Sequence, residues 1–143
     1  MMPNNLDFLL HYGTTQKDQE ILDYVNTTLT RMAYGGIYDH VGGGFARYSV
    51  DTKLHVPHFE KMLYDNGQLV SLYAKAYATT KNPLYKKVVD ETFNFVQEEL
   101  ADQSGGFYSS LDADSFTESG ELEEGAYYDW TKEEMKQLLG EDF

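Results

Sequence analysis

Asp39 and His40 lie in the run Gly35-Gly36-Ile37-Tyr38-Asp39-His40-Val41-Gly42-Gly43-Gly44-Phe45-Ala46-Arg47-Tyr48, and a second run follows at Pro57-His58-Phe59-Glu60-Lys61-Met62-Leu63-Tyr64-Asp65-Asn66. Imidazole titrates nearest to neutral pH, so His40 and His58 are the leading candidates to take or give a proton, with Asp39 and Asp65 as accompanying carboxylates. Arg47, Tyr48, Glu60 and Lys61 add groups able to bind a polar ligand. The five glycines between positions 35 and 44 suit a backbone that needs positive φ or close approach to another group. The same residues also suit a structural part. A loop imidazole after Asp39 can hold the loop by hydrogen bonds, His58 beside Pro57 can serve a helix start, and Glu60 with Lys61 can form a buried ion-pair network.

A second loop offers Asp112 and Asp114, the residue types of a glycosidase carboxylate pair, although their spacing does not set the separation which that mechanism needs. Tyr38, Phe45, Tyr48, Tyr108, Tyr127, Tyr128 and Trp130 can stack on a sugar ring or pack the loops against helices. Asp112 to Glu123 places acids where a calcium loop has them at positions one, three and twelve, but Phe116 stands at position five and position six is not glycine. Gly42–Gly44 lacks both Gly-x-Gly-x-x-Gly and a Lys-Ser/Thr ending, which argues against a nucleotide. No metal and no cofactor is implied.

Helices must position these loops. Leu22, Val25, Leu29 and Met32 fall on one face of a helix over Asp18 to Tyr34. Residues 58 to 79 are apolar on more than one side and predict an enclosed inner helix, with His58, Lys61 or Met62, and Asp65 along one face. Asn82 and Pro83 start a third helix, striped by Tyr85, Val88 or Val89, Phe93, Val96 and Leu100. Thr131 with Glu134 fits a capping box for a short helix ending at Gly140, and another short helix fits Leu6 to Tyr12. Tyr12-Gly13-Thr14-Thr15 recurs as Tyr77-Ala78-Thr79-Thr80, and Gly35-Gly36-Ile37-Tyr38 recurs as Gly105-Gly106-Phe107-Tyr108. Two tandem units follow, each a Thr-Thr turn, a helix, a long Gly-Gly loop and a return helix. Successive helices run antiparallel, so loops 35–57 and 103–130 emerge at the same end. The expected class is all-α, built of antiparallel helical hairpins with no strand-rich part.

The chain has 143 residues, 41% of them hydrophobic, enough for one globular domain over residues 1–143. Its formal charge of -13 repels phosphate backbones and anionic lipid, so neither nucleic acid nor a membrane surface is expected as a partner. No apolar stretch approaches the ~20 residues of a membrane span, and Met1 to Asn5 does not begin a signal peptide; a cytoplasmic protein is expected. The absence of cysteine removes disulfides, a thiol nucleophile and thiolate ligation from this chain.

Residues 35–45, Arg47-Tyr48-Ser49-Val50-Asp51, Val56 through Asn66, Gly105 to Ser115 and Tyr128-Asp129-Trp130-Thr131 closely resemble the thioredoxin-domain-containing family that includes the spermatogenesis-associated, thioredoxin-like proteins. The resemblance implies part of a C-terminal six-hairpin (α/α)6 toroid, similar in fold to N-acylglucosamine 2-epimerases and six-hairpin glycosidases, with the family's thioredoxin-like domain absent from this stretch. It also implies a carbohydrate ligand and epimerase- or isomerase-like proton transfer by His40 or His58, related toroids using histidines in this way. A glycosidase-like hydrolase and a non-catalytic interaction module are the alternatives. Leu54, where Trp is common, Gly67, where Ala is usual, and the longer acidic stretch Phe116 to Leu122 depart from the family pattern. Two hairpins cannot close a ring of six, so exposed apolar faces predict self-association.

Overall fold

The computed structural model describes residues 2–143, which divide into two compact units, one running to Asp112 and the other spanning Ala113–Phe143. The first holds two helical hairpins. Helices α1 (Pro3–Gln16) and α2 (Gln19–Tyr34) form one, and α3 (Leu63–Thr80) and α4 (Pro83–Phe95) the other, with α4 running into a π-helical turn at Val96–Leu100. Helix α3 packs on both α1 and α4, so the expected enclosure of that helix is found on two flanks.

The repeat read from Tyr12 and Tyr77 marks two equivalent turns. Each Thr pair lies in the last helical turn, where Thr14, Thr15, Thr79 and Thr80 donate to the carbonyls of Leu10, His11, Lys75 and Ala76. The chain reverses two residues after the first pair, at Lys17 (φ 58°), and one residue after the second, at Lys81 (φ 57°), and both take the left-handed conformation that ends a helix. Asp18 and Asn82 then cap the return helices by accepting from the N–H groups of Ile21 and Leu84.

Val25, Leu29 and Met32 are buried as their spacing predicts, and they meet Leu69, Leu72 and Tyr73 of α3 and Tyr85 and Val88 of α4 in one core. The α4 stripe differs from expectation. Phe93 is 54% exposed, while Thr92 and Phe95 face inward. Leu100 is still buried because the π-helical turn adds a residue to the local repeat and rotates the helix end.

An all-α class is too simple. Among the described residues three two-stranded antiparallel ribbons accompany the helices: β1 (Tyr48–Ser49) with β2 (Pro57–His58), β3 (Lys61–Met62) with β4 (Ser110–Leu111), and β5 (Asp114–Phe116) with β6 (Leu122–Glu124). The first two explain why α3 begins at Leu63 rather than at 58. Pro57 holds Val56 out of the helical region, and His58 and Lys61 are committed to pairing with Tyr48 and Leu111. His58, Lys61 and Asp65 therefore do not share a helical face. The pairing of β3 with β4 and the bond from Leu63 N–H to Ser109 O bring the start of the second Gly-Gly loop beside the first, as antiparallel parity requires.

In the second unit the acidic stretch that departs from the family pattern forms the turn of a regular hairpin, β5–β6, with Thr117 to Gly120 at its tip. Helix α5 (Lys132–Leu139) follows, opened by a complete Thr131–Glu134 capping box and closed at Gly140. Among the described residues no helix is long and apolar enough to cross a membrane.

Candidate functional site

The glycine-rich loop is held from beneath by α3 and its lead-in. Asn66, fully buried in the first turns of α3, accepts from Phe45 N–H (2.7 Å) and donates to Phe45 O (3.0 Å) and Met62 O (2.9 Å). It thus pairs with a loop residue as a strand neighbour would. Lys61 is 4% exposed, and its ammonium donates to Asp39 Oδ2 (2.8 Å) and Gly43 O (2.9 Å) while lying 4.5 Å from the centroid of the Phe95 ring. Asp39 Oδ1 accepts from the N–H groups of Val41 (2.9 Å) and Gly42 (2.8 Å). Burial pushes the Asp39 carboxyl up, but the Lys61 ammonium and these N–H donors outweigh it and hold it below the usual range. For Lys61 burial prevails, and the ammonium is pushed down against the pull of Asp39. Gly44 (φ 81°) lies so close to Phe95 that a β-carbon would sit 2.5 Å from its ring.

His40 is exposed at the loop crest, its Nε2 3.3 Å from Gly35 O and its ring edge-on to Tyr38 at 5.3 Å. Tyr38 is buried and donates to Glu91 of α4; burial first and the Glu91 carboxylate second push its phenol far up. His58 is half-buried and stacks on Tyr48 across the β1–β2 ribbon, with centroids 4.9 Å apart and planes 18° apart. Beside that ribbon, Arg47 binds Glu60 through its guanidinium (3.0 Å) and again through its backbone N–H to Glu60 O (2.8 Å). Asp51 closes the intervening loop by accepting from the N–H groups of Lys53, His55 and Val56. Leu54 takes a left-handed conformation (φ 61°), accepts from Gly36 N–H and packs its side chain against the core. A non-glycine there is held by the surrounding bonds.

Asp65 is 6% exposed, and its Oδ2 is sealed without a hydrogen-bond partner among the described residues. Burial pushes its carboxyl up, Arg47 pulls the other way, and Glu60 adds to the rise. The structure thus gathers Asp39, His40, Arg47, Tyr48, His58, Glu60, Lys61 and Asp65 in the loop pair and the entry to α3. Asp112 ends the first unit, exposed beside β4, whereas Asp114 begins β5 opposite Glu124 and Trp130 is exposed ahead of α5 in the second. Among the described residues no group of three or more His, Asp or Glu side chains is arranged to hold a metal ion.

No family model matches the chain. Spermatogenesis-associated protein 20 of Homo sapiens is 46% identical over 144 aligned positions, 97% of this chain, and the Mus musculus protein is equally similar. The chain is a homologue of spermatogenesis-associated protein 20. It spans 18% of the length of those two proteins, so it corresponds to one segment of them. An uncharacterised Caenorhabditis elegans protein is 41% identical over 145 positions. Among solved structures, cellobiose 2-epimerase from Spirochaeta thermophila superposes with a TM-score of 0.69 at 19% identity, covering 78% of this chain and 28% of the enzyme. A D-mannose isomerase superposes with a TM-score of 0.61 at 18% identity, covering 75% of this chain and 27% of that one. Both are (α/α)6 toroids, and the hairpins of this chain superpose on part of that fold.

Sequence reasoning passed over Asn66 and Asp51. A signal existed for Asn66: asparagine is a poor helix former, and one placed in an early helical turn among apolar neighbours is there for its side chain.

Proposed function

We propose that this segment carries part of the ligand-binding mouth of a carbohydrate-handling (α/α)6 domain. The observation that supports the reading is the pairing of the second Gly-Gly loop with the strand that leads from the first loop into α3, at one end of hairpins that superpose on part of a cellobiose 2-epimerase and of a mannose isomerase. In this reading His40 or His58 transfers a proton in an epimerisation or isomerisation. Asp39 and Lys61 position the loop that bears His40, and Arg47, Tyr48 and Glu60 line the approach to His58. The test is ligand-observed NMR and thermal shift on the full-length protein with cellobiose, D-mannose and N-acetylglucosamine, beside His40→Ala and His58→Ala. Sugar binding or turnover lost in a variant whose unliganded melting is unchanged supports the reading. No response to any sugar overturns it.

A second reading has its own observation. Asp39, Asp51, Lys61 and Asn66 are all engaged in holding backbone, which is the pattern of loops built as structural locks in a non-catalytic interaction module. Variants at His40 and His58 that lose folding without any separate loss of ligand favour it. Self-association through exposed rings such as Phe8 and Tyr12 of α1 belongs to either reading, and a monodisperse monomer in sedimentation velocity counts against it.

A further inference from the structure

We infer that the open cavity between α2 and the α3–α4 turn binds a small organic anion through its carboxylate or phosphate group. The cavity has a volume of about 540 Å³, within the range of small-molecule pockets, and its walls come from the helices and not from the Gly-Gly loops. The inference therefore stands apart from the carbohydrate reading above. Asn26, Thr27 and Arg31 lie in the α2 wall, and Asn82 and Tyr85 in the wall opposite.

The side chains of these walls offer donors, because their acceptors are already used within the fold. Asn82 Oδ1 accepts from Leu84 N–H (3.0 Å) as the cap of α4, and a backbone N–H requires the oxygen there, so the NH2 group is the end left over. Asn26 Oδ1 accepts from the hydroxyl of the buried Tyr85 (3.2 Å), which also donates to Asn26 O (3.1 Å). The Thr80 hydroxyl donates to Ala76 O and accepts from Asn82 N–H, so it is spent as well. Among the described residues neither asparagine NH2 group meets an acceptor, and the exposed Arg31 forms no ion pair. The acids of the bordering helices are engaged elsewhere: Asp23 accepts from Gln19, Asp90 pairs with Lys86, and Glu91 holds Tyr38.

Amide NH2 groups and a guanidinium donate and do not accept. A ligand that meets all three must supply acceptors, and the unpaired guanidinium selects for negative charge. Carboxylate and phosphate fit, since their oxygens take parallel bonds from one guanidinium. The helix dipole alone would favour a cation in the last turn of α2, but it gives no reason for two free amides in the same cavity. The chain's charge of -13 opposes extended polyanions, yet salt screens charges farther away than about 8 Å, so a small anion here answers to its immediate neighbours.

Isothermal titration calorimetry on the full-length protein at low salt tests this with glucose 6-phosphate and glucuronate, and with glucose as the uncharged control. Expected is binding of at least one of the two anions, with glucose weaker by about tenfold or more. Arg31→Ala removes an exposed side chain, and Asn82→Asp keeps the α4 cap while replacing the NH2 group by a charged oxygen. Each should weaken anion binding by about tenfold or more with melting unchanged, the loss of a hydrogen bond to a charged group. Tighter binding of glucose 6-phosphate would assign the site to phosphate esters, and tighter binding of glucuronate to carboxylates. Failure of the wild type to bind either anion overturns the inference. So does anion binding that is equal in wild type and Arg31→Ala, which needs no variant at a cap, or equal in wild type and Asn82→Asp, or glucose binding as tightly as both anions. None of these outcomes touches His40 or His58, so the carbohydrate reading stands or falls separately.

Discussion

The two Gly-Gly-x-Tyr loops share a sequence and differ in everything that surrounds it. In the first, Ile37 and Tyr38 are buried, and the tyrosine hydroxyl reaches across the fold to Glu91 of α4. In the second, Phe107 and Tyr108 are about half exposed, and the hydroxyl reaches only Asp102 (2.7 Å), six residues back in the same loop. Asp102 also accepts from Ser104 N–H (2.8 Å) and the Ser104 hydroxyl, so that loop is tied to itself. One motif, a tyrosine bonded to a carboxylate, is thus used once to pin a loop onto the helices and once to shape a loop locally. The first loop is part of the core, and substitutions in it and in the second should differ in cost accordingly.

The largest expected effect is at Lys61. Lys61→Ala leaves Asp39 mostly buried without its cation and Gly43 O without its donor, and removing one partner of such a pair costs about 3 kcal/mol or more. Chemical denaturation measures it. A loss below about 1 kcal/mol would show that water replaces the ammonium and that the first loop is held no more firmly than the second.

Matched glycine substitutions sharpen the contrast next. A β-carbon at Gly36 would lie 2.2 Å from His55 O, while at Gly106 it meets nothing within 4 Å. Gly36→Ala must displace backbone and is expected to cost about 2 kcal/mol, whereas Gly106→Ala stays within about 0.5 kcal/mol. Equal melting of the two variants would remove the distinction between the loops.

The tyrosines come third. Tyr38→Phe strips Glu91 of a donor at a part-buried site and should cost about 1 kcal/mol, while Tyr108→Phe on the surface falls within about 0.5 kcal/mol. Thermal melting of the pair decides whether the long-range bond carries more than the local one.

The hairpins were legible because helix faces and turn residues are local. The Val25, Leu29 and Met32 spacing, the Asn82 cap and the recurring Thr pairs need no knowledge of distant parts. Parity then placed the start of the second loop beside the first, and β3–β4 bears this out. The start of α3 was not legible, since His58 and Lys61 are drawn into ribbons by Tyr48 and Leu111, partners 10 and 50 positions away. For the same reason helical spacing put His58, Lys61 and Asp65 on one face that does not exist. Repetition misled in one respect too: Gly105-Gly106 repeats Gly35-Gly36 in letters, but the packing that gives the first pair its necessity lies in His55 and Leu54, which the second loop has no counterpart for among its glycine contacts.

The smallest effect is a pH dependence special to the second loop. Donors from Ser104, first its hydroxyl and then its N–H, and from Tyr108 lower the Asp102 carboxyl from 3.8 to about 2. A carboxyl depressed on folding contributes stability that is complete above the unfolded value and disappears as pH falls through the folded one, here between 3.8 and about 2. Asp102→Asn should therefore melt slightly below wild type at pH 6, and the two melting curves should converge as pH approaches 2. Asp39 is depressed as well, but its partner is a buried ammonium, so Asp39→Asn strands Lys61 at every pH at which lysine is charged. Its deficit narrows in acid only because the wild type loses the same pairing once Asp39 protonates. If Asp102→Asn keeps its full deficit at pH 2, the carboxylate charge is not what ties the second loop, and the local bonds that set it apart from the first loop act through shape alone.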